Sequence, residues 1–309
     1  MQREELKRLI FGPMGAVPTP FDNALRPDLA AVTDLIQWYL ECGVTAGMGT
    51  IKVCGAVDPY NLDEDEWAAV VGAAVRAAAG KATVLCGMKP KNTQQSIQDA
   101  RRAQDLGVAG VQMDLPFFNF PTQDDYVRFF SAVSEAVEIG IMVKNCFWFG
   151  AASMTADTLL RLGETEHVVA TKWDVPAGED YDAMRRFAGV INVIDDSSNP
   201  VRCHKNGGRG YVDGWLLFRP QHSLKLWSLL EAGRYDEAQA LFDEYRNVIG
   251  AFNAGALARS GGDRVSRGIL TALGFPVGDP RPPTIPLDEA EMAALRQIMA
   301  AAGWLERHP

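Results

Sequence analysis

Gly140-Ile141-Met142-Val143-Lys144 and Val168-Val169-Ala170-Thr171-Lys172 are apolar runs that each end on a lysine, with an amphipathic stretch over residues 155–162 between them. A parallel strand buried on both faces is written as such a continuous apolar run, and a helix between two of them makes a βα unit. Outward from this pair the same unit recurs. Gly15-Ala16-Val17-Pro18, Ala46-Gly47-Met48-Gly49, Ala82-Thr83-Val84-Leu85-Cys86 and Gly110-Val111-Gln112-Met113-Asp114 come before it. Ile191-Asn192-Val193-Ile194-Asp195 and Gly210-Tyr211-Val212 come after. Eight such segments, roughly thirty residues apart, predict an α/β fold: a closed (β/α)8 barrel of the TIM type. An open doubly wound sheet is the alternative, but no Gly-rich dinucleotide fingerprint follows the first strand.

The intervening helices are expected at Leu29–Glu41, 64–79, 93–106, 123–137, 155–162 and 179–187. Leu29, Val32, Leu35, Ile36 and Leu40 lie on one helical stripe, and Asp63 and Thr155 are placed to cap helix N-termini. From about residue 221 the strand signals stop. Residues 222–232, 235–256, 263–273 and 288–302 read as helices, giving a barrel over 1–220 and a helical C-terminal region over 221–309. The apolar pairs Leu229-Leu230, Leu241-Phe242 and Ile269-Leu270 exceed what a lone appendage needs, so this region is expected to bury a face against the barrel or a sister subunit.

Composition narrows the partners. Of 309 residues, 30 are Lys or Arg and 39 are Asp or Glu, for a net charge of −9, and 47% are hydrophobic. That balance fits a globular chain with a full core and excludes disorder. It argues against nucleic acid or an anionic membrane as partner, and no apolar run reaches the ~18 residues of a membrane span. Met1-Gln2-Arg3-Glu4-Glu5-Leu6-Lys7 does not read as a signal peptide. The cysteines Cys42, Cys54, Cys86, Cys146 and Cys203 are an odd number without a C-x-x-C pair. They read as free thiols in a reducing cytoplasm, with neither disulfide nor metal site.

A barrel of this kind carries its chemistry at the carboxyl ends of the strands. The residues expected there are Thr50 and Lys52, Lys89 and Lys91, Asp114, Lys144 and Asn145, Lys172 and Asp174, Asp195 and Asp196, and Asp213. Charged groups at the ends of apolar strands are costly to desolvate, which points to function. Lys172 carries the strongest signal, because a partly desolvated lysine has a lowered pKa and attacks a carbonyl as the free amine. Neighbouring strands are ~4.8 Å apart, so Lys144 and Lys172 are expected within Coulomb range, which depresses one pKa and leaves one lysine neutral as nucleophile and the other charged. A structural pair of Lys144 with Asp174 or Asp195 is the competing expectation. Asp195 is equally suited to capping the turn at Ser197-Ser198-Asn199-Pro200, and Thr50 to an ordinary turn. Phe147, Trp148, Phe149 and Trp173 are expected as pocket walls, and His204 as the histidine nearest the mouth.

Several motifs carry a resemblance. Gly15-Ala16-Val17-Pro18-Thr19-Pro20-Phe21, Pro116-Phe117-Phe118-Asn119, Val168–Lys172, Asp195-Asp196 and Gly207-Gly208-Arg209-Gly210 follow one another in order along almost the whole chain. In that order the chain resembles the dihydrodipicolinate synthase / N-acetylneuraminate lyase superfamily. The resemblance implies a lyase in which Lys172 forms a Schiff base with the ketone of a small 2-oxo acid, an aldolase or dehydratase that needs no cofactor or metal. It further implies a homo-oligomer, by analogy a tetramer, and substrate contacts at Asp195 and Asp196; Thr50, Lys52, Asn145 and Asp213, at the strand ends, are expected to contact the substrate beside them. Lys144 occupies the position of the family's relay tyrosine, and Phe118 that of a second one. The family's Gly-Thr-Thr-Gly-Glu loop is matched only by Gly49-Thr50-Ile51-Lys52, with a longer stretch to Leu62. The arginine that follows the relay tyrosine is missing from 146–150. Lys144 is therefore expected to take the tyrosine's part in proton transfer. An imine-dependent decarboxylase and a catalytically silent sugar-acid-binding barrel are the alternatives.

Overall fold

The computed structural model describes residues 1–55, 58–118, 120–147 and 153–306. Helix α1 (Arg3–Leu9) precedes β1 (Gly12–Val17), α2 (Leu29–Glu41), β2 (Thr50–Val53), α3 (Asp58–Asn61), α4 (Glu64–Ala78) and β3 (Thr83–Met88). There follow α5 (Thr93–Asp105), β4 (Gly110–Asp114), α6 (Gln123–Ser134), β5 (Gly140–Asn145), α7 (Ala156–Leu162) and β6 (Val168–Trp173). β7 (Asn192–Asp195), α8 (Pro200–Lys205) and β8 (Gly210–Val212) complete the barrel. The strands pair in parallel in chain order, and β8 returns to β1 to close an eight-stranded barrel. The (β/α)8 architecture is the one the apolar runs predict.

Two segments differ from expectation. The strand expected at residues 46–49 begins only at Thr50, because Gly47 turns the chain at a φ of 86° and the β-branched run Thr50-Ile51-Lys52-Val53 follows. Lys52 inside that run disguises it as a loop. Residues 179–187 form a 3₁₀ turn (Tyr181–Arg186) in place of an α-helix. The caps lie where their residue types place them: Asp63 accepts from the Asp65 and Glu66 amides at the start of α4, and Thr155 from Thr158 at the start of α7.

The amino ends of the strands are stoppered by α1, which composition did not reveal. Its Leu6, with Ile10, Met14, Leu85, Met142, Val169, Ala170 and Ile194, fills the barrel below the mouth. Ile10 reaches so deep that a Cβ on Gly110 or Gly140 would lie 2.7 or 2.3 Å from its Cδ1. Burying each such aliphatic side chain contributes roughly 1.5–3 kcal/mol.

After β8, a 3₁₀ turn (Trp215–Leu217) leads into α9 (Pro220–Glu231), α10 (Tyr235–Ser260), α11 (Asp263–Ala272) and α12 (Glu289–Ala301). Leu229, Leu230, Ile269 and Leu270 are buried within this single chain, and Leu241 and Phe242 pack on the same cores. The stripes read as surplus are thus turned inward. No helix among the described residues is long and apolar enough to cross a membrane.

Candidate active site

The register of the barrel wall places Asp114 of β4 opposite Lys144 of β5, and Lys144 opposite Lys172 of β6. Lys52 joins them from β2. The three lysines are almost fully enclosed, 1% exposed for Lys52, 4% for Lys144 and 5% for Lys172. An isolated buried ammonium is costly, so a carboxylate or a lost proton must compensate. Lys144 Nζ lies 3.0 Å from Asp114 Oδ1. Lys172 Nζ lies 2.8 Å from Asp196 Oδ2. The same Asp196 oxygen accepts a 3.1 Å hydrogen bond from the Cys146 thiol. Asp114 also accepts through its other oxygen from the Tyr60 hydroxyl, which the sequence did not single out. No composition or spacing signal marks that tyrosine on its single-turn helix.

These pairs set the electrostatics. Burial works to lower the Lys172 pKa, but Asp196 outweighs it and holds the amine above the ordinary lysine value. The expectation of a depressed Lys172 is therefore corrected: its counter-ion reverses the sign. Lys52 is the depressed amine, pushed down to about 7 by burial and by the neighbouring Lys172, with Lys144 adding to the fall and Asp196 opposing it. The carboxylate beside Lys144 is Asp114, and not the expected Asp174 or Asp195.

All three lysines border one cavity of about 500 Å³. Ala16, Val17 and Pro18 form part of its barrel wall, while Leu257 at the end of α10 and Asp263 and Ser266 of α11 close it from the helical region. Asp213 also lines it, accepting from the Trp215 amide at 2.8 Å and from the Ser223 hydroxyl. Burial pushes the Asp213 carboxyl up to about 6.

Other expected contacts lie elsewhere. Thr50 is a correction: it starts β2, so it sits at the amino end of the barrel, where its hydroxyl donates to Phe11 O at 3.1 Å. The chain leaves β2 toward the mouth at Cys54-Gly55, beyond the Gly49–Lys52 match. Asn145 is spent on Met154, accepting from its amide at 2.8 Å and donating to its carbonyl at 3.2 Å. Asp195 takes its capping alternative, accepting from the Tyr181 hydroxyl at 2.7 Å, Ser197 Oγ at 2.6 Å and the Asn199 amide at 2.7 Å. Only Asp196 of that pair meets the lysines.

Lys89 donates to Leu62 O, and Lys91 pairs with Glu64 and Asp99, so both serve the framework. His204 sits on α8 against Glu231 and Tyr235, facing the helical region. Trp173 packs edge-on against Phe187 in the core. Asn119, Trp148 and Phe149 lie outside the described residues. Among the described residues no cluster of three or more His, Cys, Asp or Glu is placed to hold a metal.

The model of the dihydrodipicolinate synthetase family matches residues 10–302. The chain belongs to that family. It is accordingly a lyase of the dihydrodipicolinate synthase type. Among its relatives, the 4-hydroxy-tetrahydrodipicolinate synthase 1 of Halalkalibacterium halodurans is 26% identical over 286 residues, covering 91% of this chain and 93% of the relative. The 4-hydroxy-tetrahydrodipicolinate synthase of Chlorobium chlorochromatii is 29% identical over 247 residues, 78% of this chain and 81% of its own. Among solved structures, a chloride-inhibited dihydrodipicolinate synthase from Acinetobacter baumannii complexed with pyruvate superposes with a TM-score of 0.84 at 22% identity, covering 96% of this chain and 99% of that one. At that identity the superposition speaks for the fold.

Proposed function

We propose that this member of the dihydrodipicolinate synthetase family is a Schiff-base-forming aldolase or dehydratase acting on a small 2-oxo acid, with Lys172 as the imine-forming amine. The observation that carries the reading is the convergence of Lys172 and Lys144 at one register level on a single cavity. Once its proton has left, the Lys172 amine adds to the ketone, and the imine withdraws electrons from the bond that breaks. Asp196, at 2.8 Å, is the counter-ion that an iminium on Lys172 needs. Lys144 moves the proton at the carbon beside the imine, and Asp114 holds its charge. The cavity of about 500 Å³ has room for a chain longer than that of pyruvate, which favours a sugar-derived 2-oxo acid. Buried free thiols at all five cysteines fit work in a reducing cytoplasm.

Borohydride reduction with pyruvate, read by intact mass and peptide mapping, tests this. The wild-type protein gains one adduct on Lys172, and Lys172→Ala gains none. Lys144→Met still traps, but turns over its 2-oxo acid ~10²-fold more slowly, a common acid–base contribution. An adduct that persists in Lys172→Ala, or its absence from the wild type, overturns the assignment. A Lys144→Met protein with wild-type turnover makes that residue structural.

A further inference from the structure

The resting site poses a problem for imine chemistry. Lys172 is ion-paired with Asp196 at 2.8 Å and therefore charged, yet only the neutral amine attacks a ketone. A proton must leave Lys172 first, and it needs a receiver that borders the same cavity. Lys144 is engaged with Asp114 at 3.0 Å. Asp196 already takes both the Lys172 ammonium and the Cys146 thiol on one oxygen. Lys52 is different. It borders the cavity, and among the described residues no carboxylate lies within ion-pair distance of its amine.

We propose that Lys52 is the base that takes the proton from the Lys172 ammonium and returns it to the departing hydroxyl of the carbinolamine. The proposal rests on the imine reading above. The step balances. Lys172 passes one proton to Lys52 and adds to the carbonyl carbon through its lone pair. One further N–H proton moves to the former carbonyl oxygen. The Lys52 ammonium gives its proton to that hydroxyl, and the C–O bond breaks to release water. Lys172 is left as an iminium beside Asp196, and Lys52 is neutral again for the next cycle. The net positive charge never changes, so no further buried carboxylate is required.

The groups that face Lys52 fit this part. Lys172 of β6 is its strongest charged neighbour, Asp196 beyond β7 comes next, and Lys144 and Cys146 approach from β5 and its end. Asp58 of α3 and Asp213 beyond β8 border the same cavity, while the Gln112 side-chain amide of β4 donates to Gly55 O at 2.8 Å. Their balance, with burial, leaves Lys52 near about 7, where both proton states are populated at neutral pH. Gly55 holds the stem in place: a Cβ there would lie 2.7 Å from Lys52 Cγ, so the lysine lies directly under the turn that leaves β2.

The test is the rate of adduct formation with pyruvate and cyanoborohydride, followed by intact mass between about pH 6 and 9. In the wild type the rate rises through a step near about 7 as Lys52 becomes the free base. Lys52→Met slows it ~10²-fold and removes the step, the size of a common general-base term. Lys52→Arg decides between roles, since arginine holds a carboxylate but accepts no proton at these pH values. It is expected to be as slow as Lys52→Met. Gly55→Ala keeps the amine but displaces its stem, and is expected to slow trapping with the step retained. A wild-type rate in Lys52→Arg or Lys52→Met overturns the proposal. Loss of the adduct from the wild type, or its persistence in Lys172→Ala, overturns the imine reading instead.

Discussion

An ammonium inside an apolar barrel either keeps a carboxylate beside it or surrenders its proton. Lys144 and Lys172 take the first course, at 3.0 Å from Asp114 and 2.8 Å from Asp196, and Lys52 moves toward the second, its amine pushed down to about 7. Asp213 shows the same rule for an acid, its carboxyl pushed up to about 6 by burial. The sign of its effect on stability follows. The native state holds the Asp213 proton more tightly than the unfolded chain does, so the contribution is full below the unfolded value near ~3.9 and is lost as pH rises through about 6. Asp213→Asn, neutral throughout, is therefore expected to gain stability relative to wild type at pH ~7.5 compared with pH ~4, by an order of 2–3 kcal/mol for a shift of this size. Thermal unfolding of both proteins at the two pH values checks this, and an equal difference at both would refute it. At this scale the sequence was readable where a lysine ended an apolar run, as at Lys144 and Lys172. It was unreadable where a partner came from another strand. Asp196 reverses the expected pKa of Lys172 through a contact that no spacing along the chain encodes.

At the scale of the element, apolar period and caps place most of the barrel, and the failures have physical causes. β2 escaped because an interior lysine interrupts its apolar run, which moved the expected strand back onto a glycine turn and Thr50 onto the wrong end of the barrel. α1 escaped because a seven-residue helix with one buried side chain, Leu6, has too little apolar stripe to register. Its role is nevertheless structural. Ile10→Ala is expected to destabilise the protein by about 2–5 kcal/mol, because the cavity left beneath Met142 and Val169 is walled by strands that cannot collapse into it. The urea midpoint should fall accordingly. The trapping rate at Lys172 should stay near wild type in buffer, since Ile10 lies at the amino ends of the strands and the lysines near the carboxyl ends. A trapping rate that fell with stability would show that the two ends of the barrel are coupled.

Across the whole molecule, the C-terminal helices are part of the site. Sequence reading left open whether their apolar faces met the barrel or another subunit; the stripes at Leu229-Leu230 and Ile269-Leu270 are consumed inside the chain, so the case for a homo-oligomer is left with the family resemblance alone. What joins the two regions is Arg267 of α11, only 3% exposed. Its guanidinium donates to Thr19 O beyond β1 at 2.8 Å, to Val277 O at 3.0 Å and to Asp263 Oδ2 at 2.8 Å. Asp58 Oδ1 lies 3.9 Å away. Asp263 and Ser266 of the same helix wall the lysine cavity, so this fork fixes how the mouth is covered. Arg267→Met leaves Asp263 and Asp58 buried without their cation, a loss of the kind that costs about 3–5 kcal/mol. Its thermal midpoint should drop, and the pyruvate concentration for half-maximal trapping should rise while the rate at saturation changes little. Arg267→Lys keeps the charge but cannot span the three acceptors, and should fall between Arg267→Met and wild type on both measures. If Arg267→Met lost stability but trapped pyruvate at the wild-type half-saturating concentration, the helical region would support the barrel without shaping its mouth.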